Sequence, residues 1–312
     1  MLWKPQEDVA GIDLGDTLIT AVRVEIARNG ELTLTHAGSR EYDAAATDKV
    51  IAAEVRTLWR SLGIPTTSVC ASLRSASLTM RRFKVPFMLH DELAAALKFK
   101  AEEALQIPVA DLALDWQASP VQKNVDSAGT IEGVFVAAPI KDVDRQLAVL
   151  RQAGLLPIVL DVANMAVANA YMTLTKIEPN EHATLLVNLS GLTADMAVVV
   201  PPGWIYPYTA YCREGSWGES AAFLCESIKD LVRYSGHKLK QAPVREIVLT
   251  GQVPDGVAYA EKVAEGTGMP AEVWDPLHAG IRQSRRVRAA FQHSENKGSL
   301  LATGIGLALR RG

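Results

Sequence analysis

A strand, a turn of small residues and a second strand occur twice in this 312-residue chain. The first copy covers residues 9–24 and the second covers residues 185–200. In both copies the side chains follow the two-residue period of a β-strand. Aligning the copies places Asn188 on Asp13, Ser190 on Gly15 and Gly191 on Asp16. This internal repeat predicts two related α/β lobes, each of which opens with a β-hairpin.

The two turns contain the residue types of a phosphate-binding loop. Small residues let backbone N–H groups approach a phosphate, and an aspartate at the end of a strand can hold a hydrated Mg²⁺. The turns alone are equally well explained as ordinary hairpin turns. The candidate nucleotide-binding residues are Asp13, Gly15, Asp16, Thr17, Asn188, Ser190, Gly191 and Gly251, with Asp13 as the candidate metal ligand.

Composition excludes several classes of function. The formal net charge is -3, with 32 Lys and Arg against 35 Asp and Glu, so we expect no partner among nucleic acids. Three cysteines are too few for a disulfide scaffold and indicate a reducing compartment. We expect no signal peptide and no membrane-spanning helix, because no apolar run reaches about 18 residues.

Short motifs along the rest of the chain narrow the interpretation. They are Arg81–Pro86, Lys98–Glu102, Gln106–Pro108, Asp111–Trp116, Val136–Pro139, Ala153–Leu155, Leu160–Val162, Val248–Gly251 and Ala302–Arg310. With the two turns, they resemble the actin/Hsp70/sugar-kinase superfamily and, within it, the PilM family of actin-like type IV pilus assembly proteins, which are relatives of FtsA. The motifs follow the order of the family over nearly the whole chain.

The resemblance implies a two-lobed actin-like ATPase fold of the α/β class, a duplicated ribonuclease-H-like architecture with a nucleotide cleft between its lobes. The first lobe would comprise residues 1–71, 159–182 and 298–312, and the second lobe residues 183–297. Residues 72–158 would form the small inserted domain of FtsA and PilM. The pattern of this segment, a strand, a helix, two strands and a helix, is independently typical of a βα module.

The resemblance also implies the partners. In the family, the inserted domain receives the N-terminal cytoplasmic peptide of the single-span membrane protein PilN, and Arg81, Arg82, Phe83 and Lys84 are the candidate contacts here. A charged edge strand explains the same residues. A PilO-like protein and separate pilus motor ATPases would lie beyond PilN. The chain would then be cytoplasmic, would meet the inner membrane through this partner, and could form a homo-oligomer.

Four positions depart from the family pattern. Asp16 replaces a serine, Asn188 replaces an aspartate, Ala163 replaces an acidic residue, and residues 251–254 keep one glycine of a run. A carboxylate about 4 Å from a phosphate charge is unfavourable by about 4 kcal/mol at an effective dielectric constant of about 20. We therefore expect that hydrolysis is lost and name no catalytic residue. Whether the cleft still binds ATP or ADP with Mg²⁺ stays open.

Two other classes of protein remain as alternatives. A small-molecule or sugar kinase would need a catalytic carboxylate where Asn188 stands, and an FtsA-like filament protein would carry an amphipathic anchor after the helix 300–310. A further feature is the basic cluster formed by Arg282, Arg285, Arg286 and Arg288. It is explained by a solvated loop or by a surface that binds phosphate head groups or an acidic partner.

Overall fold

The computed structural model describes residues 9–118, 129–175, 182–200, 204–212, 216–238, 243–292 and 297–310. It divides into a large unit, residues 1–73 with 149–312, and a small unit, residues 74–148. The large unit contains two sheets, one in each predicted lobe, and the small unit contains a third. The chain therefore has the α/β class and the duplicated organisation that the sequence predicts.

The helices and strands are as follows. The strands are β1 (Ala10–Leu14), β2 (Leu18–Ile26), β3 (Leu32–Glu41), β4 (Ser68–Leu73), β5 (Thr79–Pro86), β6 (Leu112–Ala118), β7 (Thr130–Pro139), β8 (Leu156–Val162), β9 (Ala183–Ser190), β10 (Thr193–Val200), β11 (Trp204–Tyr211), β12 (Val244–Gly251), β13 (Ala271–Val273) and β14 (Arg282–Gln283). The α-helices are α1 (Asp48–Leu62), α2 (His90–Leu105), α3 (Ile140–Gln152), α4 (Ala163–Leu174), α5 (Ala221–Lys238), α6 (Val257–Thr267), α7 (Arg285–Phe291) and α8 (Ala302–Ala308). Short 3₁₀ helices cover Val109–Asp111, Pro276–His278 and Lys297–Leu301.

The two sheets of the large unit repeat one arrangement. The first has the order β14-β3-β2-β1-β4-β8 and the second has the order β11-β10-β9-β12-β13. Each sheet contains an antiparallel hairpin, β1–β2 in the first and β9–β10 in the second. The first strand of each hairpin also pairs in parallel with a later strand, β1 with β4 and β9 with β12. The central strand β9 is buried at seven of its eight positions, as expected of a strand covered on both faces. Both predicted hairpins are confirmed.

Helices α4 and α8 lie between the two sheets. One buried cluster joins Val22 and Leu34 of the first sheet, Leu186 and Val248 of the second, and Ile305 of α8. The two helices approach each other so closely that a Cβ atom on Gly306 would lie 1.7 Å from the carbonyl oxygen of Ala166. Glycine at position 306 therefore lets α8 and α4 pack in backbone contact between the two sheets.

The small unit is a three-stranded antiparallel sheet of order β5-β7-β6 that is covered on one face by α2. Leu93, Leu97 and Ala101, spaced four residues apart on α2, pack against Phe83 and Phe135 of the sheet. The predicted order of strand, helix, two strands and helix is confirmed, with α3 as the last helix.

The structure moves two predicted boundaries. The small unit ends at Ala148 rather than at residue 158, and β8 pairs with β4 in the first sheet. Within the predicted second lobe, β14 pairs with β3 of the first sheet, and Ser284, before α7, donates to the carbonyl oxygen of Thr35 at 2.9 Å. These two segments are short or partly polar, so their partners depend on tertiary contacts that periodicity does not encode.

Candidate functional site

The first turn, between β1 and β2, is held in place by Tyr42, which directly follows β3. The Gly15 amide donates to the carbonyl oxygen of Leu18 at 2.8 Å, and the Tyr42 hydroxyl donates to the carbonyl oxygen of Gly15. The Tyr42 amide in turn donates to the carbonyl oxygen of Thr17 at 2.9 Å. The turn is therefore a rigid hairpin corner, with its backbone paired within the first lobe.

The carboxylate of Asp13 is buried at the end of β1, where Asp13 stands opposite Thr20 of β2. It accepts a hydrogen bond from the hydroxyl of Ser72 on β4, and the same hydroxyl accepts from the Leu14 amide at 3.3 Å. Among the described residues no three His, Cys, Asp or Glu side chains group closely enough to hold a metal ion. Asp13, the predicted metal ligand, is instead hydrogen-bonded by Ser72, which the sequence analysis did not single out.

The second turn, between β9 and β10, presents two successive backbone N–H groups. The Gly191 amide donates to Oε1 of Gln252 at 2.7 Å, and the Leu192 amide donates to Oδ2 of Asp16 at 3.3 Å. Gly191 has a φ of 56°, in the left-handed region that glycine adopts most easily. The turn thus receives one acceptor from the first lobe and one from the loop after β12.

The replaced residue Asn188 lies beneath this turn. Its side chain is 2% exposed, and its Nδ2 has no hydrogen-bond partner among the described residues. Asp195 of β10 is directly opposite Asn188 in the strand register and accepts from the hydroxyl of Thr209 at 3.0 Å. Asp195 is the one charged residue in the apolar strand Thr193–Val200, a signal that the sequence analysis missed.

The third loop, which follows β12, packs closely against the end of β9. Gly251 has a φ of 79°, and a Cβ atom there would lie 2.2 Å from the carbonyl oxygen of Leu189 and 2.6 Å from Oδ1 of Asn188. The Gln252 amide donates to the carbonyl oxygen of Leu189 at 2.7 Å, and Ser299 Oγ donates to the carbonyl oxygen of Gly251 at 2.9 Å. These bonds hold Gln252 in place beside the second turn.

The structure therefore brings the three predicted loops together. Asp13, Gly15, Asp16, Asn188, Ser190, Gly191 and Gly251 line one region of the large unit, with Thr17 on the far side of the first turn against Tyr42. In this arrangement the residues do not fit a bound polyphosphate. A phosphate oxygen could reach the Gly191 and Leu192 amides only if Gln252 and Asp16 moved away, since those side chains already accept both hydrogen bonds.

The sequence and the fold of the chain can be compared with those of known proteins. A model of the family described as type IV pilus assembly protein PilM matches residues 11–218, two thirds of the sequence. The chain belongs to the PilM family. The expected resemblance to this family is thereby confirmed, and the matched segment holds the first two loops and the small unit of this PilM-family protein.

Solved structures share the fold of this chain. A PilM–PilN type IV pilus biogenesis complex superposes with a TM-score of 0.80 at 19% identity and covers 98% of this chain and 99% of that chain. The ethanolamine utilization protein EutJ from Carboxydothermus hydrogenoformans superposes with a TM-score of 0.51 at 13% identity and covers 99% of this chain and 90% of that chain. No curated protein sequence matches the chain significantly. The expected actin-like ATPase fold is confirmed.

The four candidate partner contacts of this PilM-family protein lie on β5, in the small unit. Phe83 is buried in the core under α2, so its ring cannot form an exposed contact. Arg82 and Lys84 point to the other face, where both approach Glu132 of β7, at 3.7 Å and 2.6 Å. Arg81 is exposed. Strand alternation thus places Arg82 and Lys84 on the face opposite Phe83, and burial separates Phe83 as a core side chain from the three cations.

The basic cluster of this PilM-family protein lies on the first lobe. Arg282 pairs with Glu31 at 2.7 Å, and Arg286 donates to the carbonyl oxygen of Ser61 at 2.8 Å. Two of the four arginines therefore bind the segment of residues 282–291 to the first lobe. In the part of the chain that the structure describes, no helix is both long and apolar enough to cross a membrane.

Proposed function

We propose that this PilM-family protein is an adaptor of the inner-membrane platform that assembles type IV pili or a related type II secretion-like machine. It would bind the N-terminal tail of a PilN-like membrane protein. The observation that carries the proposal is the superposition over 98% of the chain, with a TM-score of 0.80, on a PilM–PilN complex. A PilO-like protein and the motor ATPases would act beyond this contact and supply the work of assembly.

The location follows from the partner. A protein that holds the cytoplasmic tail of a membrane protein would lie in the cytoplasm, at the inner surface of the membrane. The near-neutral chain, with a net charge of -3, supports contact through a partner rather than through anionic lipid.

We place the peptide on the small unit, along β5. In the described residues β5 pairs with β7 on one side, so its other edge offers backbone groups to an added strand. Two large apolar side chains follow directly: Phe87 is 55% exposed and Leu89 is 67% exposed. An extended peptide on this edge would bury them, and Arg81 would flank it.

Calorimetric titration with a synthetic peptide of the PilN-like tail from the same organism tests the proposal. We expect binding at micromolar peptide concentration. Replacing both anchors, Phe87→Ser with Leu89→Ser, should weaken binding about tenfold or more, since each buried apolar anchor contributes about 1–2 kcal/mol. A folded wild-type protein that does not bind the peptide would contradict the adaptor function.

Phe99→Ser is the matched control. Phe99 is 70% exposed on α2, and its position two residues after the buried Leu97 places it on the outward side of that helix. This variant should bind the peptide as the wild type does. Equal weakening by both variants would show that the peptide does not use the β5 edge.

A further inference from the structure

We propose that Asp16 and Gln252 are built-in substitutes for a nucleotide phosphate. They would fasten the second turn to the first lobe and to the third loop without any ligand. We call the four residues Asp16, Gly191, Leu192 and Gln252 the clasp. The inference concerns the cleft of the large unit and does not depend on which partner the small unit binds.

The hydrogen bonds of the clasp have the geometry of an anion site. Successive backbone N–H groups in a turn form a concavity that favours an anionic or strongly polar oxygen. In this chain the two oxygens are Oε1 of Gln252, 2.7 Å from the Gly191 nitrogen, and Oδ2 of Asp16, 3.3 Å from the Leu192 nitrogen. The carboxylate supplies the negative charge that a phosphate would otherwise bring.

The space between the turns is also filled. A Cβ atom on Gly191 would lie 2.7 Å from Cβ of Asp16, and one on Gly15 would lie 2.7 Å from Oγ of Ser190. Even a methyl group added at either glycine would collide with the opposite turn. A phosphate group is larger than a methyl group, so the Asp16 and Gln252 side chains would have to move away before one could enter.

Backbone hydrogen bonds at and beside Gln252 fix the position of its main chain. Its amide donates to the carbonyl oxygen of Leu189, and the carbonyl oxygen of the preceding Gly251 accepts from Ser299. The Cα atom of Gln252 is therefore fixed beside the second turn, and its side chain reaches the Gly191 amide from there. The cation and phosphate that would bridge the lobes in a nucleotide-dependent relative are replaced by a side-chain bridge between residues 176 positions apart, Asp16 and Leu192.

Hydrogen exchange of the two turn amides tests the clasp directly. The Leu192 amide donates to Oδ2 of Asp16 at 3.3 Å, so removing that carboxylate removes its acceptor. Asp16→Ala should speed exchange of the Leu192 amide about tenfold or more, because a hydrogen bond to a charged group contributes about 1.5–3 kcal/mol. Gln252→Ala should do the same for the Gly191 amide. Unprotected amides in the wild type would overturn the proposal.

Asp43→Ala is the matched control. The Asp43 carboxylate accepts a hydrogen bond from the Ala45 amide at 2.8 Å, at an exposed turn of the first lobe. The variant removes a carboxylate of the same kind without touching the clasp, so the Gly191 and Leu192 amides should keep their wild-type exchange rates. If Asp16→Ala does not fold, Asp16→Asn, which keeps an acceptor oxygen, should retain protection of Leu192.

Titration with Mg·ATP, Mg·ADP and inorganic phosphate gives the second readout. In the wild type we expect the Gly191 and Leu192 amide resonances to stay unchanged at millimolar ligand. In the double variant Asp16→Ser with Gln252→Gly, which frees both donors, phosphate-dependent shifts should appear. Ligand-induced shifts of both amides in the wild type would show that phosphate displaces the side chains, and would overturn the proposal.

Discussion

Asn188 of β9 is buried and stands opposite Asp195 of β10, so the pair holds one carboxylate and one amide at neighbouring strand positions. Directly opposed side chains in an antiparallel pair have Cβ atoms about 5 Å apart. An amide at position 188 avoids the repulsion that two buried carboxylates would create there.

Restoring the acidic residue should therefore destabilise the protein. We expect Asn188→Asp to lower the free energy of unfolding by about 2–4 kcal/mol, because it adds a buried charge beside a like charge. The deficit should be larger at about pH 8 than at about pH 5, since the new carboxyl group can remain protonated only at lower pH. Urea unfolding at both pH values measures it.

Asn188→Ala is the control for this variant, because it removes the amide without adding a charge. Its deficit should be the same at both pH values. A pH-independent deficit in Asn188→Asp as well would show that Asp195 does not oppose a charge at position 188.

The sequence predicted the residue types of the cleft better than their contacts. Asp16 stood out as a residue that opposes phosphate, yet its acceptor role towards Leu192 depends on a contact across 176 positions. Gln252 gave no signal, because a glutamine after a glycine is ordinary in a loop. Asp195 could have been found as the one charge in an apolar strand.

At the scale of single elements, α8 shows how strongly glycine can control packing. Its Gly306 meets the carbonyl oxygen of Ala166 on α4, and its Gly304 carbonyl oxygen would be 2.0 Å from a Cβ atom on Gly11 of β1. The helix is thus in backbone contact on two sides. The sequence predicts a helix over residues 300–310, and the structure has α8 at Ala302–Ala308.

Gly306→Ala should destabilise the protein strongly. The added Cβ atom would lie 1.7 Å from an oxygen, so α8 or α4 must shift, and we expect a loss of about 2–4 kcal/mol. Gly236→Ala in α5 is the matched control, since a Cβ atom there has nothing within 4 Å. It should gain up to about 1 kcal/mol from helix propensity. Thermal unfolding of both variants measures the contrast, and equal effects would contradict the packing account.

Elements with strong local patterns were predicted, and elements without them were not. The hairpins, α2 and the strands of the small unit follow from alternation, apolar spacing and turn residues. Strand β14 has two residues and is defined by its pairing with β3. The residue pattern of β8 predicts a strand but does not indicate which sheet the strand joins. The sequence therefore could not predict that the small unit ends before β8.

At the scale of the whole molecule, buried acidic groups predict sensitivity to alkali. Burial is the main cause that raises the pKa of the Cys70 thiol from 9.0 to about 11 and that of Tyr171 from 10.0 to about 12. Burial also raises the pKa of Tyr259. Stability from these groups is complete below their unfolded pKa values and is lost as the pH rises towards the folded values.

The free energy of unfolding should therefore fall above about pH 9, where Cys70 ionises in the unfolded chain, and fall further above about pH 10, where the tyrosines follow. Cys70→Ala removes one of these groups and should remove about 1 kcal/mol of that fall at about pH 10, since one pKa unit corresponds to about 1.4 kcal/mol. Urea unfolding across this range is the measurement. The same fall in wild type and variant would show that Cys70 ionises as freely in the folded protein as in the unfolded chain.

The proposed function and the clasp together predict an adaptor whose lobes are held by its own side chains rather than by a nucleotide. Calorimetric titration of the full chain with the PilN-like tail peptide, with and without millimolar Mg·ATP, tests both proposals in one experiment. We expect micromolar binding with the same affinity in both conditions. A folded protein that does not bind the peptide would contradict the adaptor function, and one that binds it only when Mg·ATP is present would contradict a cleft held without a nucleotide.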